Sequence, residues 1–141
     1  MKAEIENKLL AVIRVRGRVG VRHDIAETLS RLNLKYVNNM SILFGTKSNI
    51  GMIKKCNDFI TYGEISKEML QKLLAEKKVE AKAEEIDALL AGKKRFAEIA
   101  KMPLRMHPPR KGYEGIMRSL SNGGALGYRG EKVNELIKRM I

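Results

Sequence analysis

The chain has 141 residues, 44% of them hydrophobic and 31% charged, with a net charge of +12 and a pI near 10.0. This length suits one domain or a small core with an extension, and the apolar fraction excludes wholesale disorder. So large a positive surplus repels itself and calls for an anionic partner, while a lone cysteine, Cys56, excludes an intrachain disulfide framework and points to a reducing, intracellular setting.

The charge is unevenly spread. Residues 1–60 carry eleven basic and five acidic side chains, residues 61–100 carry eight of each, and residues 101–141 carry nine and three. The two ends are therefore the parts expected to face a polyanion, and the middle reads as an ordinary helical segment. No signal peptide is visible, and the apolar run Leu9–Val15 is far too short to span a bilayer.

Leu9 to Val15 reads as a strand, with Leu9, Ala11, Ile13 and Val15 on one face and Arg14 and Arg16 at the end of the other. Gly17 to His23 is a basic loop. Asp24 is expected to cap the first helix with Glu27 completing a capping box, and Ile25, Leu29 and Leu32 form its inner face. Tyr36 to Phe44 is a second strand interrupted at Asn38-Asn39. Ser48 or Asn49 caps a second helix, and Phe59 to Tyr62 is a third strand closed by Gly63. Ser66 opens an amphipathic helix carrying Met69, Leu70, Leu73 and Leu74, and Ile86, Leu89 and Leu90 define another that ends near Gly92.

Residues 101–130 change character and hold all three prolines and six glycines. They read as loop, with short strands near Leu104–Met106 and Ile116–Leu120 and a turn over the Gly-rich run Ser121–Gly127. A final helix carries Val133, Leu136, Ile137 and Met140. The order strand, helix, strand, helix, strand, helices predicts an α+β fold, a small sheet with helices packed on one face. It divides into a core over 1–65, a helical insertion over 66–100, and a basic arm with terminal helix over 101–141.

Arg14, Arg16, Arg18 and Arg22 fall within nine residues, with Asp24 as the nearby acid. Guanidinium forks match phosphate oxygens and hold their charge at any relevant pH, and Gly17 and Gly20 would let the backbone approach a nucleic acid closely. Gly17-Arg18-Val19-Gly20 also fits the Gly-x-x-Gly loop of KH modules, but that loop joins two helices and this one follows a strand. In the arm, Arg105, Arg110 and Lys111 supply charge, and Pro108 and Pro109 stiffen the chain. Tyr113 and Tyr128 could stack on bases, and Arg118 and Arg129 could bind phosphate. The bland alternatives are a solvated strand end and a surface loop. Lys93-Lys94-Arg95 suits a helix terminus as well as it suits a third contact.

Catalysis finds little support. His23, His107 and Cys56 compose no zinc site, Cys56 reads as a core filler, and the run of glutamates from Glu64 to Glu85 sits among lysines as solvated helix faces do. No catalytic residue, metal or cofactor is assigned, and neither a membrane nor a small-molecule substrate is expected. Aromatics are only 5%, which disfavours a sheet lined with base-stacking rings and favours phosphate and shape recognition.

From Leu9 to Tyr62 the chain resembles the L-thirty family of large-ribosomal-subunit proteins. The resemblance is carried by Arg16, Val19-Gly20, Thr28-Leu29, Leu32, Leu34 and Gly51-Met52-Ile53, in that order and spacing. Beyond Gly63 it is similar to the longer archaeal and eukaryotic branch, through Tyr62-Gly63-Glu64-Ile65, the helical insertion, Pro103 to Met106 and the final Leu136 to Met140 helix. No basic amino-terminal extension precedes the core, which favours the archaeal-like form. The resemblance implies a three-stranded, mainly antiparallel β-α-β-α-β sheet with two helices on one face, a relative of the ferredoxin-like arrangement. It implies docking on large-subunit rRNA near the 5S rRNA region, beside neighbouring ribosomal proteins in the cytoplasm, in a structural and not an enzymatic role. By position it supports Arg16 and Gly20 as contacts, and residues of the arm only weakly. The other readings are a free-standing nucleic-acid-binding or chromatin protein, and a small α+β enzyme.

Overall fold

Strand β1 (Leu9–Arg14) is buried along its whole length, and this fixes the architecture. In the computed structural model, which describes residues 7–78, 82–93, 104–113, 115–119 (backbone alone for 116–119) and 123–141, β1 lies between two antiparallel neighbours. These are β2 (Asn39–Phe44), with Ile13 opposite Met40, and β3 (Ile60–Glu64), with Val12 opposite Tyr62. Side chains alternate across a strand. Leu10 and Val12 therefore pack with Leu29, Leu32 and Leu34 and with Ile50, Ile53 and Cys56, which belong to helices α1 (His23–Arg31) and α2 (Lys47–Lys55) and the turns that follow them.

Leu9, Ala11 and Ile13 face the opposite way. They meet α3 (Lys67–Glu76), α4 (Ala83–Leu90) and the terminal α5 (Val133–Met140), through Leu70, Leu73, Leu89, Leu136 and Ile137. A strand wrapped on both faces has no solvated side, which is why Leu9 to Ile13 reads as an unbroken apolar run. Each fully buried Leu or Ile here contributes roughly 1.5–3 kcal/mol.

Local chemistry sets the helix starts. Thr46 caps α2 by accepting from the Asn49 N–H at 3.2 Å, in place of the expected Ser48 or Asn49, and Ser66 caps α3 by accepting from Met69 N–H at 3.2 Å. The expected Asp24 cap is not formed. Helix α1 begins at His23, its N-cap residue Arg22 makes no side-chain cap bond, and the Asp24 carboxylate turns outward to Arg22 at 3.3 Å and Lys55 at 3.9 Å.

The α+β class and the two core helices on one sheet face are as expected. The sheet is larger than the expected three strands. Among the described residues it has six, in the order β4-β2-β1-β3-β6-β5, where β4 is Leu104–Arg105, β5 is Gly115–Ser119 and β6 is Gly124–Tyr128. Residues beyond 101 thus supply both edges of a sheet whose centre comes from the first 65. Strand β4 pairs antiparallel with β2, and β6 pairs parallel with β3, with Thr61 opposite Gly127. The insertion and the terminal helix cover the face that a three-stranded core would leave bare. The Gly-rich run expected as a turn supplies most of β6, from Gly124 to Gly127. Its glycines and Ala125 lack the branched side chains that signal a strand, and its extension is imposed by pairing with β3.

Glycine at 63 is required by packing. A Cβ there would sit far inside contact distance of the Gly130 carbonyl oxygen and 3.0 Å from Val133 Cβ. Gly63 therefore lies inside β3, where the backbone of the short 3-10 turn Gly130–Lys132 crosses it, and does not end the strand.

Candidate nucleic-acid interface

One end of the sheet carries the last residue of β1 and the first residues of β2 and β3, and both basic stretches of the sequence arrive there. The Asn38 N–H donates to the Arg14 carbonyl at 3.0 Å, and the N–H groups of Val15 and Arg16 donate to the Phe59 carbonyl at 3.0 and 3.2 Å. Val15 packs with Ala125, Leu126 and Tyr113, which draws the carboxy-terminal segment to the same place. The Tyr113 hydroxyl donates to Asn38 Oδ1 at 2.7 Å, and Arg105 sits opposite Asn39.

Arg14 is not on this surface. It is 3% exposed, and its guanidinium donates to the carbonyls of Leu34 at 2.8 Å, Lys35 and Arg16 at 2.9 Å and Gly17 at 3.2 Å. Burial, and then the charge of Arg18, lowers its pKa from the usual guanidinium value. The side chain that sequence spacing placed first among phosphate contacts instead holds two loops in shape. Placing it outward assumed that one face of β1 was solvated, and both faces are covered.

The others divide. Arg18 and Arg22 are exposed, and Arg16 is half-buried, with its guanidinium 4.8 Å from the Phe59 ring centre and donating to the Asp58 carbonyl at 3.2 Å. Arg18 lies 4.6 Å from the centre of the Tyr36 ring. Gly17 and Gly20 are exposed with open space around them, and Gly20 has φ +76, which favours glycine. Neither Arg16 nor Arg18 forms an ion pair among the described residues, and Arg22 meets Asp24.

From the arm, Arg105, Arg110 and Lys111 are exposed. The turn bearing the last two is tied to the end of α5: the Arg110 N–H donates to the Arg139 carbonyl at 3.1 Å, and Arg139 Nη1 donates to the Gly112 carbonyl at 3.3 Å. Tyr113 is half-buried, and burial pushes its hydroxyl up to about 12. Arg129 is 8% exposed, with Nε donating to Thr61 Oγ1 at 2.8 Å and Nη2 to the Ala125 carbonyl at 3.3 Å. Tyr128 donates to Glu64 Oε1 at 2.9 Å, at the other end of the sheet. Tyr113, Tyr128 and Arg129 are thus engaged inside the protein. The Arg118 side chain and the pair Lys94-Arg95 lie outside the described residues, and Lys93 is exposed.

Lys35 and Tyr36 belong to this end as well, with Lys35 Nζ 5.6 Å from the Tyr36 ring centre. Sequence reasoning counted Tyr36 into the second strand. The signal against that was Asn38-Asn39: Asn38 takes φ 66, and the strand starts only after it. The opposite end of the sheet is different in kind. There Lys8 Nζ meets Glu64 Oε1 at 3.2 Å beside a cleft of about 430 Å³ that Glu131 and Asn134 also line.

Cys56 is fully buried, and burial pushes its thiol up to about 11, the state of an inert core residue. Among the described residues no group of three or more His, Cys, Asp or Glu could hold a metal ion, and no helix is long and apolar enough to cross a membrane.

Residues 10–60 match the family model described as ribosomal protein L30p/L7e. Over nearly the whole chain there are relatives named large ribosomal subunit protein uL30. That of Methanococcus maripaludis is 42% identical, with 93% of this chain and 98% of the relative covered. That of Nanoarchaeum equitans is 42% identical, with 94% and 99% covered, and that of Methanobrevibacter smithii is 39% identical, with 94% and 100% covered. The matched segment spans β1 to the start of β3, the part of the sheet from which the arginine loop emerges. Likeness at this level across almost all of both chains places the protein in the L30p/L7e family of ribosomal proteins.

Proposed function

We propose that this chain is a structural, non-enzymatic component of the large ribosomal subunit, and that it binds rRNA through the basic end of its sheet. The contact set is Arg16, Gly17, Arg18, Gly20 and Arg22 from the first loop, Lys35, and Arg105, Arg110 and Lys111 from the arm. Arg118 joins them as an expectation from sequence alone. Arg14, Tyr113 and Arg129 support the surface from inside. On this reading the RNA lies near the 5S rRNA region, as the family resemblance suggests, with other ribosomal proteins beside it in the cytoplasm.

One observation carries this reading. Two stretches about ninety residues apart in sequence converge on one end of the sheet, and among the described residues they present cations there with few carboxylates paired to them. A protein that had no polyanion to meet would gain nothing from gathering like charges in this way.

The test is binding of the purified protein to large-subunit rRNA as a function of salt. With about 6–10 phosphate contacts, affinity falls by roughly 10³–10⁵ between 50 and 200 mM salt. A complex insensitive to salt, or a protein that does not travel with the large subunit at moderate ionic strength, would refute it.

A further inference from the structure

We infer that Tyr36, with Arg18 stacked against it, is a stacking site for one unpaired nucleobase of the bound RNA; this rests on the rRNA-binding reading above and adds to it an interaction that is not electrostatic. Three of the four tyrosines are engaged internally: Tyr62 is buried, Tyr113 bonds to Asn38, and Tyr128 bonds to Glu64. Tyr36 is 45% exposed. The other exposed large apolar side chains of the described residues are Val37 at 38%, next to Tyr36 in the chain, and Val19 at 100%, next to Arg18. A surface that met only phosphates would have no use for an exposed ring among its cations, because phosphate oxygens are read by cations and N–H donors.

The occupant follows from the charge and shape of the patch. Arg18 lies over the Tyr36 ring at 4.6 Å and Lys35 at 5.6 Å from its centre, so a partner seated here must accept two cations together with a flat stacking surface. A nucleotide does so, because its base offers a π-face to the ring or to the guanidinium plane and its phosphate meets the cations. The base must be unpaired, since a base in a duplex already has both faces covered. Arg16 over Phe59 is a similar pair at 4.8 Å, but Phe59 is half-buried and packs against the core, so its ring is not presented in the same way.

The experiment measures binding of the whole protein to large-subunit rRNA across a salt series, for the wild type and for Tyr36→Phe, Tyr36→Leu, Tyr36→Ala and Arg22→Gln. Tyr36 is 45% exposed and belongs to none of the buried clusters, so all four variants should keep a melting temperature close to the wild type's. The expected result is that Tyr36→Ala weakens binding by about 5- to 150-fold, with the dependence on salt unchanged. Tyr36→Phe should bind like the wild type, and Tyr36→Leu should be nearly as weak as Ala. Equal binding by Leu and Tyr would mean simple apolar packing and overturn the stack. Unchanged binding by Tyr36→Ala, with Arg22→Gln weakened, would also overturn it, leave the rRNA-binding reading intact and assign the patch to a protein neighbour. Failure of the wild type to bind rRNA would sink the underlying reading itself.

Discussion

The Arg14 guanidinium donates to the Leu34 carbonyl at 2.8 Å, across twenty residues of sequence and inside the protein. It joins the end of β1 to the turn after α1, and its other bonds hold Lys35, Arg16 and Gly17. A buried cation of this kind organises the loops that display the exposed ones. Arg18 and Tyr36 sit where they do because the backbone leading into each of them is bonded to Arg14.

Replacing Arg14 should therefore act on stability. Arg14→Ala leaves carbonyls buried without partners and is expected to lower the unfolding free energy by about 3–5 kcal/mol. Arg14→Lys should restore little of this, since an ammonium cannot span the same set of acceptors. Arg18→Ala should stay within about 0.5 kcal/mol of the wild type. Urea unfolding distinguishes them, and equal stability of Arg14→Ala and Arg18→Ala would show that the internal bonds are unimportant.

Gly63→Ala should be disruptive because the new methyl group meets the Gly130 backbone, which cannot rotate away as a side chain can. A cost of about 1–3 kcal/mol or more corresponds to a fall in Tm of at least several degrees. Gly17→Ala has open space around it and an ordinary φ, so its Tm should be unchanged. If Gly17 serves close approach of RNA, that substitution weakens rRNA binding while leaving the melt alone.

Cys56 gives stability a dependence on alkaline pH. Its folded-state pKa is raised from 9.0 to about 11 by burial, so between those values the unfolded chain releases a proton that the native state retains. Stability from this group is complete below pH 9 and is lost as pH rises towards 11; at pH 10.5 the loss is about 1–2 kcal/mol. Cys56→Ala should flatten the fall in urea midpoint between pH 9 and 10.5 relative to the wild type. Parallel curves for the two proteins would refute the assignment. The thiol should also resist alkylation at pH 8 until the protein is unfolded.

Charge removal should separate the basic end from the helical insertion. Arg22→Gln is expected to weaken rRNA binding and to reduce the slope of log K against log salt by about 0.7–0.9 for each phosphate that the variant no longer neutralises. Lys72→Gln on the exposed side of α3 should change neither. Equal effects at the two positions would mean that binding follows net charge and has no geometric site.

Much of the fold was legible because periodicity is a local property. Leu9 to Ile13, the Leu29 face of α1, Ser66 at the start of α3 and the Val133 to Met140 stripe of α5 each announce their element within a few residues. Strand β6 was not legible, because glycine and alanine are extended there only through pairing with β3. The boundary of β2 was misread for a related reason: apolar Tyr36 and Val37 continue the pattern while Asn38 breaks the backbone.

The sequence by itself determined the α+β class, the family, the partition of charge to the two ends of the chain and the absence of an obvious catalytic set, since composition, spacing and local propensity carry these. The tertiary structure decided which cations are outside. Arg14 and Arg18 are four residues apart and chemically identical, yet one bonds buried carbonyls and the other lies exposed over Tyr36. That difference depends on what covers the second face of β1 and on where the carboxy-terminal segment returns. Both are set by packing between residues about fifty to more than one hundred positions apart, which no local pattern encodes.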